Sequence, residues 1–251
     1  MSVLLELSKV DKHFGGLHAV RNVSFSVERG EVVGILGPNG AGKTTLYNLL
    51  TGFIRPDPGA RIVFDGRDIV GMPPHRIAAL GISRTFQLCR PFVGMSVLEN
   101  VIVGGLGSRR HEAAALDEHA QALLAQVGLA GKEGVPVEVL SYGDQRRLEI
   151  ARALAARPKL LLLDEPFAGL GSGEIADLSA LIRQVHASEG LTVVLIEHKL
   201  REFMRLVSRV IALDFGEIIA SGSPEDIVRH PAVIEAYIGR EAPQAEAADA
   251  A

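Results

Sequence analysis

Three short runs hold the residue types needed for phosphate chemistry. The first, Gly37-Pro38-Asn39-Gly40-Ala41-Gly42-Lys43-Thr44, is a complete G-x-x-x-x-G-K-[ST] loop followed by Thr45. It leaves the apolar run Val32–Leu36, which reads as a buried parallel strand, and opens a helix near Lys43. Glycines 37, 40 and 42 place no side chain in the way, so backbone N–H groups can converge on an anion, helped by the helix start. Lys43 supplies a point charge for the β- and γ-phosphates, and the Thr44 hydroxyl is placed to ligate Mg²⁺. The second run, Leu160–Leu163, is an apolar strand ending in Asp164 and Glu165. Open α/β sheets gather ligands at such strand ends. Asp164 can hold a water of a Mg²⁺ shell there, and Glu165 can polarise an attacking water. The third run is Leu140-Ser141-Tyr142-Gly143-Asp144-Gln145, in which Ser141 reads as the N-cap of a helix running towards Ala156, ahead of the stop signal Pro158. Taken singly, a strand-end acidic pair or a helix cap is ordinary.

The elements around these runs alternate in type. Leu4–Val10, Val23–Val27 and Arg61–Phe64 read as strands, with Asp65-Gly66 as a tight turn and Pro56-Asp57-Pro58-Gly59 as a surface turn. From Gln87 to Pro158 the pattern becomes helical. Ser96-Val97-Leu98-Glu99 is a capping box, and Leu116, Leu123, Leu124 and Val127 share an apolar face. Ile175, Leu178, Leu181, Ile182 and Val185 mark another amphipathic helix that ends near Gly190. Strands follow at Thr192–Ile196 and Arg209–Leu213, and Ser223-Pro224 opens a final helical region ending near Gly239.

The bulk properties exclude several classes. With 251 residues, 47% hydrophobic and 22% charged, the chain can bury a sizeable core. No apolar run approaches the ~18–20 residues of a membrane span, and the first residues lack the pattern of a secretory signal. Cys89 is the only cysteine, so no intrachain disulfide forms and a reducing cytosol is expected. A net charge of −4 argues against a general nucleic-acid binder. The acidic, Ala-rich stretch 240–251 is expected to be disordered.

The three runs in this order resemble the nucleotide-binding subunit of an ABC transporter, and the 164−43 = 121 residues between Lys43 and Asp164 fit that family. The resemblance covers nearly all of residues 3–239. It implies an α/β P-loop core with an N-terminal antiparallel β part and a helical subdomain inserted at about 88–158. It further implies that Ser141 and Gly143 face the γ-phosphate of ATP held by the opposite subunit, so that ATP sites are completed only in a homo- or heterodimer. Phe14 matches the aromatic that stacks on adenine, although alone it would read as packing. Gln87 matches the glutamine that reaches Mg²⁺ and the attacking water, and His198 the histidine that contacts the γ-phosphate and orients Glu165. Arg84-Thr85-Phe86-Gln87, Ser141–Arg152 and Val233–Gly239 narrow the resemblance to the ATPase subunits of branched-chain amino-acid importers. Transmembrane permease subunits, a solute-binding protein and a place on the cytoplasmic face of the inner membrane follow from it.

Relatives of that group serve urea, short amides or aromatic acids, and exporter ATPases for lipids or lipopolysaccharide have similar length. A soluble ABC protein acting on DNA or ribosomes is the competing class; only 141−87 = 54 residues separate Gln87 from Ser141, too few for a long coiled coil. Two residues depart from the family pattern. Asp144 stands where glutamine is usual, either charging a phosphate site or serving the helix start. Gly171 stands where the loop usually ends in Asp or Asn, either for want of a cross-dimer contact or because a backbone conformation demands glycine. In Leu88–Met95, Phe92 and Met95 either line a docking groove for a permease helix or fill the local core.

Overall fold

The computed structural model describes residues 2–107 and 113–238, so the acidic stretch 240–251 and Gly239 lie outside the described residues. Val3–Phe14 (β1) and Leu17–Glu28 (β2) form a long hairpin turned at Gly15-Gly16. After Val32–Leu36 (β3) and Lys43–Leu50 (α1) come Arg61–Phe64 (β4) and Arg67–Asp68 (β5). These build a four-stranded antiparallel sheet of order β2-β1-β4-β5. Asp65 and Gly66, both at positive φ (51° and 76°), make the turn from β4 to β5.

The second sheet has six strands. Ile82–Arg84 (β6), Leu160–Asp164 (β7), Thr192–Ile196 (β8) and Arg209–Asp214 (β9) run parallel with β3, and Glu217–Gly222 (β10) closes one edge antiparallel to β9, in the order β10-β9-β3-β8-β7-β6. The near-continuous apolar sequence of β3, β7 and β8 reflects burial on both faces. Alternation sorts their side chains between two cores. Val33, Ile35, Leu160, Leu162, Val194 and Ile196 pack with α1 and the antiparallel sheet. Val32, Leu36, Leu161, Leu163, Val193 and Leu195 face the other way, into a core built by helices.

Those helices are Val97–Gly105 (α3), Ala113–Gln126 (α4) and Tyr142–Ala155 (α5), lying between β6 and β7, with Ser172–Glu189 (α6) and Leu200–Leu206 (α7) further on. Leu116, Leu123, Leu124 and Val127 are all buried, as the apolar face of α4 predicts. The Ser96–Glu99 capping box forms at the start of α3, and Gly190 ends α6 in the left-handed conformation. A Cβ at Gly34 would lie 2.2 Å from the Phe203 ring, so α7 sits on β3 through the missing side chain. Pro74–Leu80 (α2), β5, β6, α7 and the half-exposed edge strand β10 were not expected; each is short or lacks a sustained apolar period. The C-terminal region is two helices, Pro224–Val228 (α8) and Pro231–Ile238 (α9).

Candidate functional site

The Gly37–Thr44 loop joins β3 to α1 at the carboxyl end of the parallel sheet. Gly42 sits at φ 99°, and a Cβ there would fall 2.4 Å from the Ala19 carbonyl, so glycine is required both by the conformation and by β2 beside it. Lys43, though charged, is buried, and its Nζ donates to the carbonyls of Gly37 (2.5 Å) and Pro38 (2.9 Å). Asn39 through Thr45 border a cavity of about 350 Å³ together with Leu17, His18, Ala19, Arg21, Gln87, Glu165 and Phe215. The tertiary fold therefore brings Gln87 and Glu165 to the phosphate loop. Phe14 stays half exposed near the hairpin turn, with Lys12 Nζ 5.3 Å from its ring centre, and does not border this cavity.

α1 is locked to the sheet from beneath. The buried Tyr47 hydroxyl donates to the carbonyls of Val194 (2.7 Å) and Leu163 (3.2 Å), and burial holds its pKa well above the usual phenol range. From the other end of the chain, burial pushes the Tyr237 phenol up to about 12, against the opposing effect of a hydrogen bond from the Gly37 backbone.

Asp164 and Glu165 take different environments although adjacent. Asp164 is buried, and its Oδ2 accepts from Arg84 at 2.7 Å, with both side chains about 5% exposed (6% and 5%). Arg84 also donates to Asn48 Oδ1 at 2.6 Å and lies over the rings of Tyr47 and Phe86. Glu165 instead reaches the cavity rim, with Oε2 accepting from Gln87 Nε2 at 2.9 Å and Oε1 2.6 Å from His198 Nε2. Both oxygens are thus engaged and the carboxylate's orientation is set. Its backbone occupies φ 49°, a left-handed conformation costing on the order of 1 kcal/mol for a residue with a side chain. Thr44, Gln87 and Asp164 together border a second cleft of about 620 Å³.

Ser141 caps α5 as its sequence predicts, accepting from the Asp144 N–H at 3.2 Å. Asp144 belongs to that first turn, and its carboxylate meets Lys132 at 2.6 Å, so the charge is already paired within the chain. Ser141 and Gly143 border a separate cavity of about 270 Å³ with Leu170 and Glu174, away from the phosphate loop of their own chain. Gly171, at φ −74° and ψ 166°, adopts an ordinary extended conformation, and a Cβ there would meet only Glu174 Oε2, at 3.7 Å. Backbone conformation is therefore not what calls for glycine at 171.

Several polar groups that join these parts gave no sequence signal. Arg146 on α5 is 2% exposed and donates to the carbonyls of Gln87 (2.6 Å) and Phe86 (3.1 Å). Glu149, one turn on, accepts from the Phe86 N–H at 2.9 Å and the Cys89 thiol at 3.3 Å. Burial, then the Glu149 charge, pushes Cys89 up to about 12. The same helix whose start carries Ser141 thus holds the backbone that carries Gln87. Asn100 on α3 grips the next stretch, bonding both the N–H and the carbonyl of Phe92. Phe92 is 43% exposed with the Arg152 guanidinium 4.6 Å from its ring centre, so it is not core. It borders a groove of about 370 Å³ between α2, α3 and α5, whereas Met95 does not.

A glycine-rich loop feeding a helix beneath a parallel sheet, with two carboxylates on a neighbouring strand end, defines a P-loop nucleoside-triphosphate-binding α/β protein. Residues 20–168 match the family model described as ABC transporter, and the chain belongs to that family of ATP-hydrolysing cassettes. Residues 217–243 match a second model, described as branched-chain amino acid ATP-binding cassette transporter. Among curated relatives, the high-affinity branched-chain amino acid transport ATP-binding protein BraF of Pseudomonas aeruginosa is 43% identical, over 94% of this chain and 98% of its own. LivG of Escherichia coli K12, with the same description, is 40% identical over 94% and 98%. Among solved structures, the ADP conformation of MJ1267, an ATP-binding cassette of an ABC transporter, superposes with TM-score 0.87 at 33% identity, over 95% of this chain and all (100%) of that one. Cassettes of this family work as dimers with transmembrane permease subunits. No helix among the described residues is long and apolar enough to cross a membrane.

Proposed function

We propose that this chain is the ATP-hydrolysing subunit of an importer for branched-chain or other hydrophobic amino acids, seated on permease subunits at the cytoplasmic face of the inner membrane. The observation that carries the hydrolytic part is Glu165, held at both carboxylate oxygens by Gln87 and His198 on the rim of the phosphate-loop cavity. ATP lays its phosphates on the N–H groups and the lysine of Gly37–Thr45, and its adenine lies towards the β1–β2 hairpin that carries Phe14. Glu165 takes a proton from the attacking water, which Gln87 positions and His198 flanks. Ser141 and Gly143 serve the nucleotide of the second subunit, which explains why they border a different cavity from Lys43.

The donor set suits Mg²⁺. Thr44, Gln87 and Asp164 border one cleft and offer hydroxyl, amide and carboxylate oxygens. Gln87 spends its amide nitrogen on Glu165 and keeps its oxygen for a cation, and Asp164 keeps Oδ1 for a shell water while Arg84 takes Oδ2. One carboxylate with water and phosphate completing the shell is the usual Mg²⁺ arrangement, and the ion would neutralise charge on the β- and γ-phosphates.

The match at 217–243, together with BraF and LivG, supports branched-chain amino acids over the exporter and soluble alternatives. The groove at Phe92 is the proposed seat of a permease helix. Glu165→Gln tests the chemistry: ATP binding should persist and turnover should fall by about two orders of magnitude, with ATP-bound dimers accumulating. Near-normal turnover would remove Glu165 from the role of base. Co-purification with a solute-binding protein, and uptake of labelled leucine by the assembled transporter, tests the solute.

A further inference from the structure

Glu197, between the last residue of β8 and His198, is a buried carboxylate with only 2% of its surface exposed. Its Oε1 accepts from the Phe167 N–H at 2.8 Å. Its Oε2 accepts from the N–H groups of His198 (2.6 Å) and Lys199 (2.9 Å). The three donors belong to two separate loops. Phe167 lies two residues beyond Glu165, and His198 is the residue whose Nε2 lies 2.6 Å from Glu165 Oε1.

The stitching between these loops is nearly complete. Glu165 N–H donates to the Ile196 carbonyl at 2.9 Å, and Pro166 has no N–H to donate. Both backbone donors of residues 165–167 therefore end on residues 196 and 197, one on a carbonyl and one on the Glu197 carboxylate. Glu165 is at φ 49° between these two anchors, a conformation that persists only where its surroundings over-determine it. Lys199 adds a third strut, its Nζ donating to the Leu170 carbonyl at 2.9 Å. Leu170 precedes Gly171 and borders the cavity that holds Ser141.

We infer that Glu197 is a positioning residue for hydrolysis: its one buried carboxylate fixes the backbone on both sides of the Glu165–His198 pair. Lys199 extends this clamp to the loop at Leu170. Neither residue borders the phosphate-loop cavity. Charge-assisted bonds from three backbone donors suit the task, because a carboxylate has only acceptors to offer them. An amide in its place turns a donor towards at least one N–H. A displacement of the base by as little as ~1 Å is enough to cost catalysis heavily.

The inference rests on Glu165 acting as base, so its test separates the two. Steady-state ATPase rates and ATP-induced thermal shifts are measured on the full chain for Glu197→Gln, Glu197→Asp, Lys199→Met, Glu165→Gln, His198→Ala and the double variant Glu197→Gln/His198→Ala. Glu197→Gln should lower kcat about tenfold or more, with KM for ATP and the ATP-induced shift in Tm nearly unchanged. The double variant should be little slower than His198→Ala alone, since both changes release the same pair. Lys199→Met should lower kcat less than Glu197→Gln. If Glu197→Gln does not fold, Glu197→Asp replaces it, with a carboxylate one methylene too short to span both loops and the same expected kcat loss. Wild-type kcat in folded Glu197 variants, or losses that multiply in the double variant, overturns the inference. Undiminished turnover in Glu165→Gln would instead strike the base assignment, whatever Glu197 does.

Discussion

Replacing Arg84 with methionine tests whether Asp164 depends on a cation already built into the fold. In the intact chain the pair is 2.7 Å apart and almost fully enclosed. Arg84 is the only partner found for the Asp164 carboxylate among the described side chains, since Thr85 Oγ1 accepts from the Asp164 backbone instead. Methionine keeps most of the volume between the Tyr47 and Phe86 rings and removes the charge. The carboxylate is then stranded, and breaking a buried pair on one side costs about 3–5 kcal/mol. For a chain of this size that corresponds to a fall in Tm of roughly 6–20 °C. Urea unfolding followed by circular dichroism, without nucleotide or Mg²⁺, measures the loss. The double variant Arg84→Met/Asp164→Asn removes the stranded charge and should recover most of it. Mg²⁺ with ATP should stabilise Arg84→Met more than it stabilises the wild type, because a cation then returns to an unpaired carboxylate. A loss below ~1 kcal/mol in Arg84→Met, or no recovery in the double variant, refutes this account of the pair.

Lys43→Ala should abolish most of the thermal stabilisation by ATP, a contribution of about 2.7 kcal/mol at a ligand concentration a hundredfold above Kd; an unchanged ATP shift counts against the phosphate role. Gly171→Asp should leave stability within about 0.5 kcal/mol, since the backbone there is ordinary and the new Cβ meets one atom at 3.7 Å. In a Glu165→Gln background the same change should strengthen ATP-driven dimers on sedimentation, and weaker dimers would refute the cross-dimer contact. Phe92→Asp should cost only about 1 kcal/mol, mainly the contact with Arg152, yet prevent assembly with the permease subunits. Loss of several kcal/mol, or normal assembly, would dismiss the docking role.

The amino-acid sequence alone determined whatever is local along the chain. The Ser96–Glu99 box and the Ser141 cap each satisfy backbone groups within a few residues, so spacing suffices to read them. The apolar runs of β3, β7 and β8 were legible for the same reason: strands buried on both faces admit few other residues. Spacing also marked Asp164 and Glu165 as a pair, but not that one would be buried against Arg84 and the other turned to the cavity rim. Only the tertiary structure decided that, as it decided the environments of Arg146, Glu149 and Glu197. Arg84 meets Asp164 from 80 residues away, Phe86 meets Glu149 from 63, and Phe167 meets Glu197 from 30. A charged residue reads as a solvated one until a partner that distant closes over it, because burial is tolerable only once its hydrogen bonds are supplied. Those supplies come from how helices and loops pack across the sheet, which no spacing along the chain encodes.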